Sequence, residues 1–177
     1  MLFFIKTSEE YRYNVAMYKL IISTFLMFFF STVWVQANNK SYSFAGIDTG
    51  ISHYDGTSAP SFGIKYGKQA EMLRTTIEFS YAQMDSNKLQ MLLMEVDRGI
   101  LSSFFKDSKF KPYVGLNYGF MQHNSNDKGY AYGFTGGVTY ILDHSIDINL
   151  ATRILKTSKI KNIKDINTIN LSLHYFY

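Results

Sequence analysis

Two sets of side chains in this sequence have the types and spacing to do chemistry. The first comprises Asp48, Lys65, Arg74, Glu78, Glu95, Asp97, Asp147 and Arg153, each on the polar side of an alternating apolar and polar run. Acids and bases in near balance, packed together, form an ion-paired network; with water among them they line a gated pore. The second set is His123-Asn124-Ser125-Asn126. On a strand, the i and i+2 spacing of His123 and Ser125 sets them side by side, the geometry for base-activated attack by a serine hydroxyl.

Other chemistries lack their residues. There is no cysteine, which excludes disulfide scaffolds and cysteine-based metal or redox sites. His53, His144 and His174 do not fall at metal-ligand spacing with other ligands, so neither metal nor cofactor is expected. Phosphate loops and G-x-S-x-G elbows are missing. The formal charge of +4 is a weak basic bias without a long run of like charge, so nucleic acid is not an expected partner.

The elements that must position these residues are strands. From Ile169 to the final Tyr177 every second residue is apolar or aromatic, while Asn170, Ser172 and His174 lie between. Seven earlier segments repeat the pattern: 42–52, 61–68, 73–83, 89–104, 111–121, 129–142 and 146–155. Turn-rich breaks separate them, and the mature chain contains no useful helix-period stretch. Antiparallel strands in such a succession close into an up-and-down barrel without edges.

The fourth segment is irregular. Strict alternation puts Arg98 on its apolar face, so either a β-bulge at 97–99 or an Arg98 near an interface is expected.

Which face is inside follows from where the charge lies. If the Phe, Tyr and Leu face were interior, it would need a second layer or a helix to fill against, and none is encoded. If it faces lipid, the strands have the ~9–11 residues that spanning requires, and the charged set fills a narrow lumen. Glycines at 46, 50, 63, 67, 115, 119, 133 and 137 leave room there for longer side chains. Aromatics make up 17% of the chain while mean hydropathy is only −0.10, as alternation produces. Tyr42, Phe44, Tyr66, Phe104, Phe110, Tyr140, Tyr175 and Tyr177 are expected in interfacial girdles.

Residues 1–37 read as an N-terminal extension followed by a helical secretory signal peptide. Met17-Tyr18-Lys19 precedes the apolar run Leu20 to Val35, and Val35-Gln36-Ala37 offers a cleavage site after Ala37. Glu9 and Glu10 do not suit a basic leader, which places the translation start at Met17. The run is short of the ~20 residues a helical anchor needs. Residues 38–177 are then the barrel domain, with an all-β, eight-stranded antiparallel transmembrane fold.

Lys111-Pro112-Tyr113-Val114-Gly115-Leu116-Asn117-Tyr118-Gly119-Phe120, the Gly-aromatic run 132–140 and the terminal Leu171-Ser172-Leu173-His174-Tyr175-Phe176-Tyr177 resemble the small OmpA/OmpX-like outer-membrane β-barrel proteins of Gram-negative bacteria. The resemblance implies outer-membrane localisation and a structural or surface-interaction role in a monomer. It also implies recognition of Leu171, Leu173, Tyr175 and Tyr177 by the outer-membrane assembly machinery. With the N-terminus in the periplasm, 54–60, 84–88, 122–128 and 156–165 lie outside the cell. Lys156, Lys159, Lys161 and Lys164 in the last could meet lipopolysaccharide phosphates.

His123-Asn124-Ser125-Asn126 resembles the His-x-Ser-Asn of outer-membrane lipid A deacylases, and an esterase is therefore an alternative to the non-catalytic reading. A downstream Glu orients the His in that family, and here none follows Glu95. Asp127 or Asp143 could serve if the fold set one beside His123. A small gated channel is the other alternative.

Overall fold

The computed structural model describes residues 41–177 apart from 85–86, 102–103, 106, 125–126 and 161–162. The expected leader, with Met17 and Ala37, lies outside the described residues, as do Ser125 and Lys161.

Eight strands follow one another: β1 (Ser41–Tyr54), β2 (Thr57–Ala70), β3 (Leu73–Met84), β4 (Asn87–Gly99), β5 (Phe110–His123), β6 (Asp127–Asp143), β7 (Ile146–Ser158) and β8 (Asp165–Phe176). Each pairs antiparallel with the next, and β8 returns to β1 to close the barrel. The seam runs from Phe44 opposite Phe176 to Tyr54 opposite Ile166. No helix occurs among the described residues.

Most strands are longer than the alternation suggests, because hairpins replace the expected loops; β4 is the exception, ending at Gly99 although its alternating segment runs on to 104. Asp55 and Gly56 form the whole β1–β2 turn, with φ of 49° and 69°, the positive values a type I′ hairpin needs. Pro60, expected in a break, lies within β2 opposite Ile51. The β2–β3 ladder begins only at Ser61, so Pro60 has β1 alone beside it and interrupts no second ladder. One rim carries the 55–56 turn and the strand ends at Met84, Asn87, His123, Asp127, Ser158 and Asp165; the other carries the 71–72 and 144–145 turns, the strand ends at Gly99 and Phe110, and the outer ends of β1 and β8.

The predicted bulge at 97–99 does not form. Arg74, Asp97 and Gly115 stay in continuous register, and Arg98 is exposed on the outer face one residue from the end of β4. The rim position lets its guanidinium leave the apolar band, so no bulge is needed. A register shift occurs instead between Ile141 and Asp143.

Side chains alternate inward and outward along every strand. The outer wall displays Ile47, Ile64, Ile77, Phe79, Leu150 and Leu171, all about half exposed, in one continuous apolar band. Tyr42, Tyr66, Phe110, Tyr175 and Tyr177 are exposed near strand ends, and Phe104 in the β4–β5 connection is exposed as well. Phe44 corrects the expected girdle: it is fully buried and points inward, because its place in β1 is even with Asp48. His53 sits on the outer face of β1 with Nδ1 3.0 Å from Ser58 Oγ.

Candidate functional site

The interior is built from the positions alternating with that band. Arg153 on β7 reaches Glu78 on β3, four strands away in either direction around the ring. Its Nη1 donates to Glu78 Oε1 at 3.0 Å and its Nη2 to Glu78 Oε2 at 2.6 Å, a bidentate fork. The same Nη2 donates to Glu95 Oε2 at 2.6 Å. Lys65 completes the cluster, with Nζ 3.4 Å from Glu78 Oε2 and donating to Ser172 Oγ at 3.0 Å.

A second cross-link lies nearer the rim that carries the termini. Arg74 Nη2 on β3 donates to Asp147 Oδ2 on β7 at 2.7 Å and to Gln69 Oε1 at 2.7 Å. His174 Nδ1 holds the other oxygen of Asp147 at 2.7 Å. The Arg74 guanidinium sits 5.2 Å from the Phe44 ring and 5.8 Å from the Phe176 ring, so aromatic faces support it from β1 and β8.

Six of the eight charged residues singled out in the sequence thus meet in two clusters, Lys65, Glu78, Glu95 and Arg153 in one and Arg74 and Asp147 in the other. Asp48 and Asp97 lie outside these ion pairs, although the Asp97 carboxyl hydrogen-bonds with Glu95 of the first cluster. Both are buried, neither makes an ion pair among the described residues, and one carboxylate oxygen of each has no hydrogen-bond partner. Glycine makes their room: a Cβ on Gly63 would strike Asp48 Oδ1, and one on Gly115 would strike Asp97 Oδ1. Gly67 and Gly137 do the same for two aromatics, with a Cβ falling 2.6 Å from Phe44 Cζ and 2.7 Å from the Tyr113 hydroxyl.

The interior is not polar throughout, as the charged set suggested. Towards the rim of the 55–56 hairpin, Tyr54, Leu89, Leu93, Leu155, Ile163 and Ile166 pack into an apolar cluster with Met91, Met121 and three alanines. Ile163 comes from the β7–β8 connection, which folds its side chain into the barrel mouth. Leu93 pairs with Glu78 in register, so this stopper rests directly on the ion cluster. The signal was present in the sequence: Leu89, Met91 and Leu93 alternate with the outward Leu92 and Met94, making β4 apolar on both faces there.

His123 lies at the end of β5 rather than in a turn, and is buried against the stopper, with its ring 6.1 Å from that of Tyr54. Asp127 is its register partner across the β5–β6 hairpin, yet His123 Nδ1 has no hydrogen-bond partner. Asp143 lies at the far end of β6. Lys156 pairs with Asp165 at 2.5 Å, Lys159 Nζ sits 5.1 Å from the Tyr130 ring, and Lys164 is exposed. Leu171, Leu173, Tyr175 and Tyr177 all face outward. Among the described residues no group of three His, Asp or Glu could hold a metal ion.

Neither a protein-family model nor a curated protein sequence matches the chain. Solved structures do. Neisserial surface protein A (NspA) superposes with a TM-score of 0.62 at 16% identity, over 77% of this chain and 97% of that one. The fold is that of a small outer-membrane β-barrel. Outer membrane protein H (OprH) of Pseudomonas aeruginosa aligns with a TM-score of 0.58 and 19% identity, over 77% of this chain and 99% of OprH. The N-terminal β-barrel domain of Pseudomonas aeruginosa OprF gives 0.52 and 12%, over 78% of this chain and all 100% of the domain. What the chain shares with these solved structures is architecture; its task lies in its own side chains.

Proposed function

We propose that this protein is an integral outer-membrane barrel of a Gram-negative bacterium, exported by its signal peptide, with a structural or surface-contact role and no open pore. One observation carries the reading: a continuous apolar band covers the outside of a closed barrel whose lumen holds a set of inward charges, six of the eight in ion pairs. A soluble protein rarely exposes an apolar patch of more than a few hundred Å². Lipid covers such a band at no cost, because every strand's backbone is already satisfied by its two neighbours. Inside, the Arg153 fork and the apolar stopper fill the lumen in succession, so ions meet first a dry constriction and then fixed charges.

The test is heat-modifiable gel mobility of the outer-membrane fraction, joined to planar-bilayer conductance of the purified protein. The folded band should be in the outer membrane, and the bilayer should stay silent. Recovery from the soluble periplasm would overturn the location, and large stable single-channel steps would replace the plugged barrel with a channel.

On the outer rim, Lys156, Lys159, Lys161 and Lys164 are the proposed contact to lipopolysaccharide. Lys156 is engaged by Asp165, so the triple variant Lys159→Gln, Lys161→Gln, Lys164→Gln should weaken lipopolysaccharide binding more than Lys156→Gln does. Equal effects would sink that contact. Leu171, Leu173, Tyr175 and Tyr177, on the outer face of the closing strand, are proposed to be read by the assembly machinery before the seam with β1 forms.

A further inference from the structure

The β1–β2 hairpin carries a contact on the outside of the barrel that the lumen does not account for. His53 Nδ1 lies 3.0 Å from Ser58 Oγ, and both residues are exposed. They are register partners across the β1–β2 ladder, and Asn167 is the partner of His53 across the β1–β8 seam. Ser58, His53 and Asn167 therefore stand in one row over three neighbouring strands, all outward and all exposed. Directly opposite residues of antiparallel strands have Cβ atoms ~4.5–5.5 Å apart, within reach of side-chain hydrogen bonds.

The order of the row fits base-activated attack by a hydroxyl. The central imidazole meets the serine through Nδ1. For Nδ1 to take the serine proton, the ring's own proton must sit on Nε2, and the tautomer is set by what that nitrogen meets. Asn167, on the other side of His53 in the row, offers an amide oxygen that can accept from Nε2–H.

The depth of the row selects the substrate. The next outward row, two residues further from the rim, is Pro60, Ile51 and Ile169, with both isoleucines more than half exposed. That row is the edge of the apolar band. Ser58, His53 and Asn167 thus lie where hydrocarbon gives way to headgroups, and the acyl esters of membrane lipids lie at the same boundary. The acyl chain needs no pocket there, because it packs along Ile51 and Ile169 with its neighbours in the leaflet.

We propose that Ser58 and His53 are the nucleophile and base that hydrolyse a long-chain acyl ester of an outer-leaflet lipid, with Asn167 positioning the imidazole. Ser58 Oγ attacks the acyl carbonyl carbon as its proton passes to His53 Nδ1. The ester C–O bond breaks, and the departing alcohol takes that proton. Water then splits the acyl-Ser58 ester, Nδ1 taking a proton from it and returning one to Ser58 Oγ, and the fatty acid leaves. The lipid source rests on the lipid-covered wall proposed above; the pairing of Ser58 with His53 does not.

The experiment is hydrolysis of p-nitrophenyl decanoate by the full chain in detergent micelles, with p-nitrophenyl acetate as the short, soluble ester and empty micelles as blank. Turnover of the decanoate is expected, with kcat/KM about tenfold or more above that of the acetate. Ser58→Ala and His53→Gln should each lose about a hundredfold or more. Asn167→Leu should lower kcat about tenfold with KM unchanged, and Asn167→Asp should restore it. Ser80→Ala, which removes an unpartnered hydroxyl of the lumen, should keep the wild-type rate. A fluorophosphonate should label Ser58, as located by mass spectrometry of the peptides, and should label it far less in His53→Gln. Gel mobility reads the folding of each variant. No turnover above the blank, an unchanged rate in Ser58→Ala or His53→Gln, Asn167→Leu as fast as the wild type, label on a serine other than Ser58, or equal use of the two esters would overturn the proposal. Fractionation reads where the barrel resides, so failure of the hydrolysis and failure of the outer-membrane reading are told apart.

Discussion

Arg153 and Glu78 stand on opposite walls of the barrel and are joined by two hydrogen bonds, of 3.0 and 2.6 Å, with Glu95 sharing the same guanidinium. Seventy-five residues of sequence separate them. Their pairing ties β7 to β3 through the centre of the lumen, where neither strand touches the other.

Arg153→Met should destabilise the folded barrel by about 3–5 kcal/mol, because it leaves buried Glu95 without its cation and Glu78 with Lys65 alone. Urea titration in micelles, followed by gel mobility, measures this. A loss below about 1 kcal/mol would mean that water already reaches the cluster.

Leu171 faces outward midway along β8, opposite Leu150. If lipid covers it, Leu171→Arg should cost about 2–4 kcal/mol, while the same change on a water-exposed face is nearly neutral. Arg98→Leu, at the rim, should change stability by less than about 1 kcal/mol. The same unfolding assay in lipid vesicles ranks the pair, and equal effects would count against a lipid-covered band.

Gly67→Val should cost about 1–3 kcal/mol, since its Cβ would crowd the Thr75 carbonyl oxygen and fall 2.6 Å from the Phe44 ring. Gly136, which has open space around an added Cβ, is the control: Gly136→Ala should be neutral or slightly stabilising. Reversal of that order would mean that the wall at Gly67 is not packed as closely against Thr75 and Phe44 as described.

His123 packs as part of the stopper, without an acid bound to its Nδ1. His123→Phe should therefore keep or improve stability, and neither it nor Ser125→Ala should alter lipid A acylation when followed by mass spectrometry. Accumulation of acylated lipid A in both variants would restore the esterase.

By itself the sequence determined eight strands, their order and which side chains turn inward. All of this follows from the period-2 geometry of extended chain, a local property that needs no partner. Asp48, Asp97 and Arg153 could be assigned to the lumen on that basis. Their partners could not, because contacts across a lumen depend on strand tilt and stagger, which are set only when β8 meets β1 and the ring closes. Closure joined Arg153 to Glu78 and Arg74 to Asp147, and left Asp97 outside these ion pairs. It also drew Ile163 into the mouth, whereas Phe44, expected in the girdle, points inward by the same alternation that sends Asp48 there. Alternation decides inside from outside; only tertiary structure decides what meets inside.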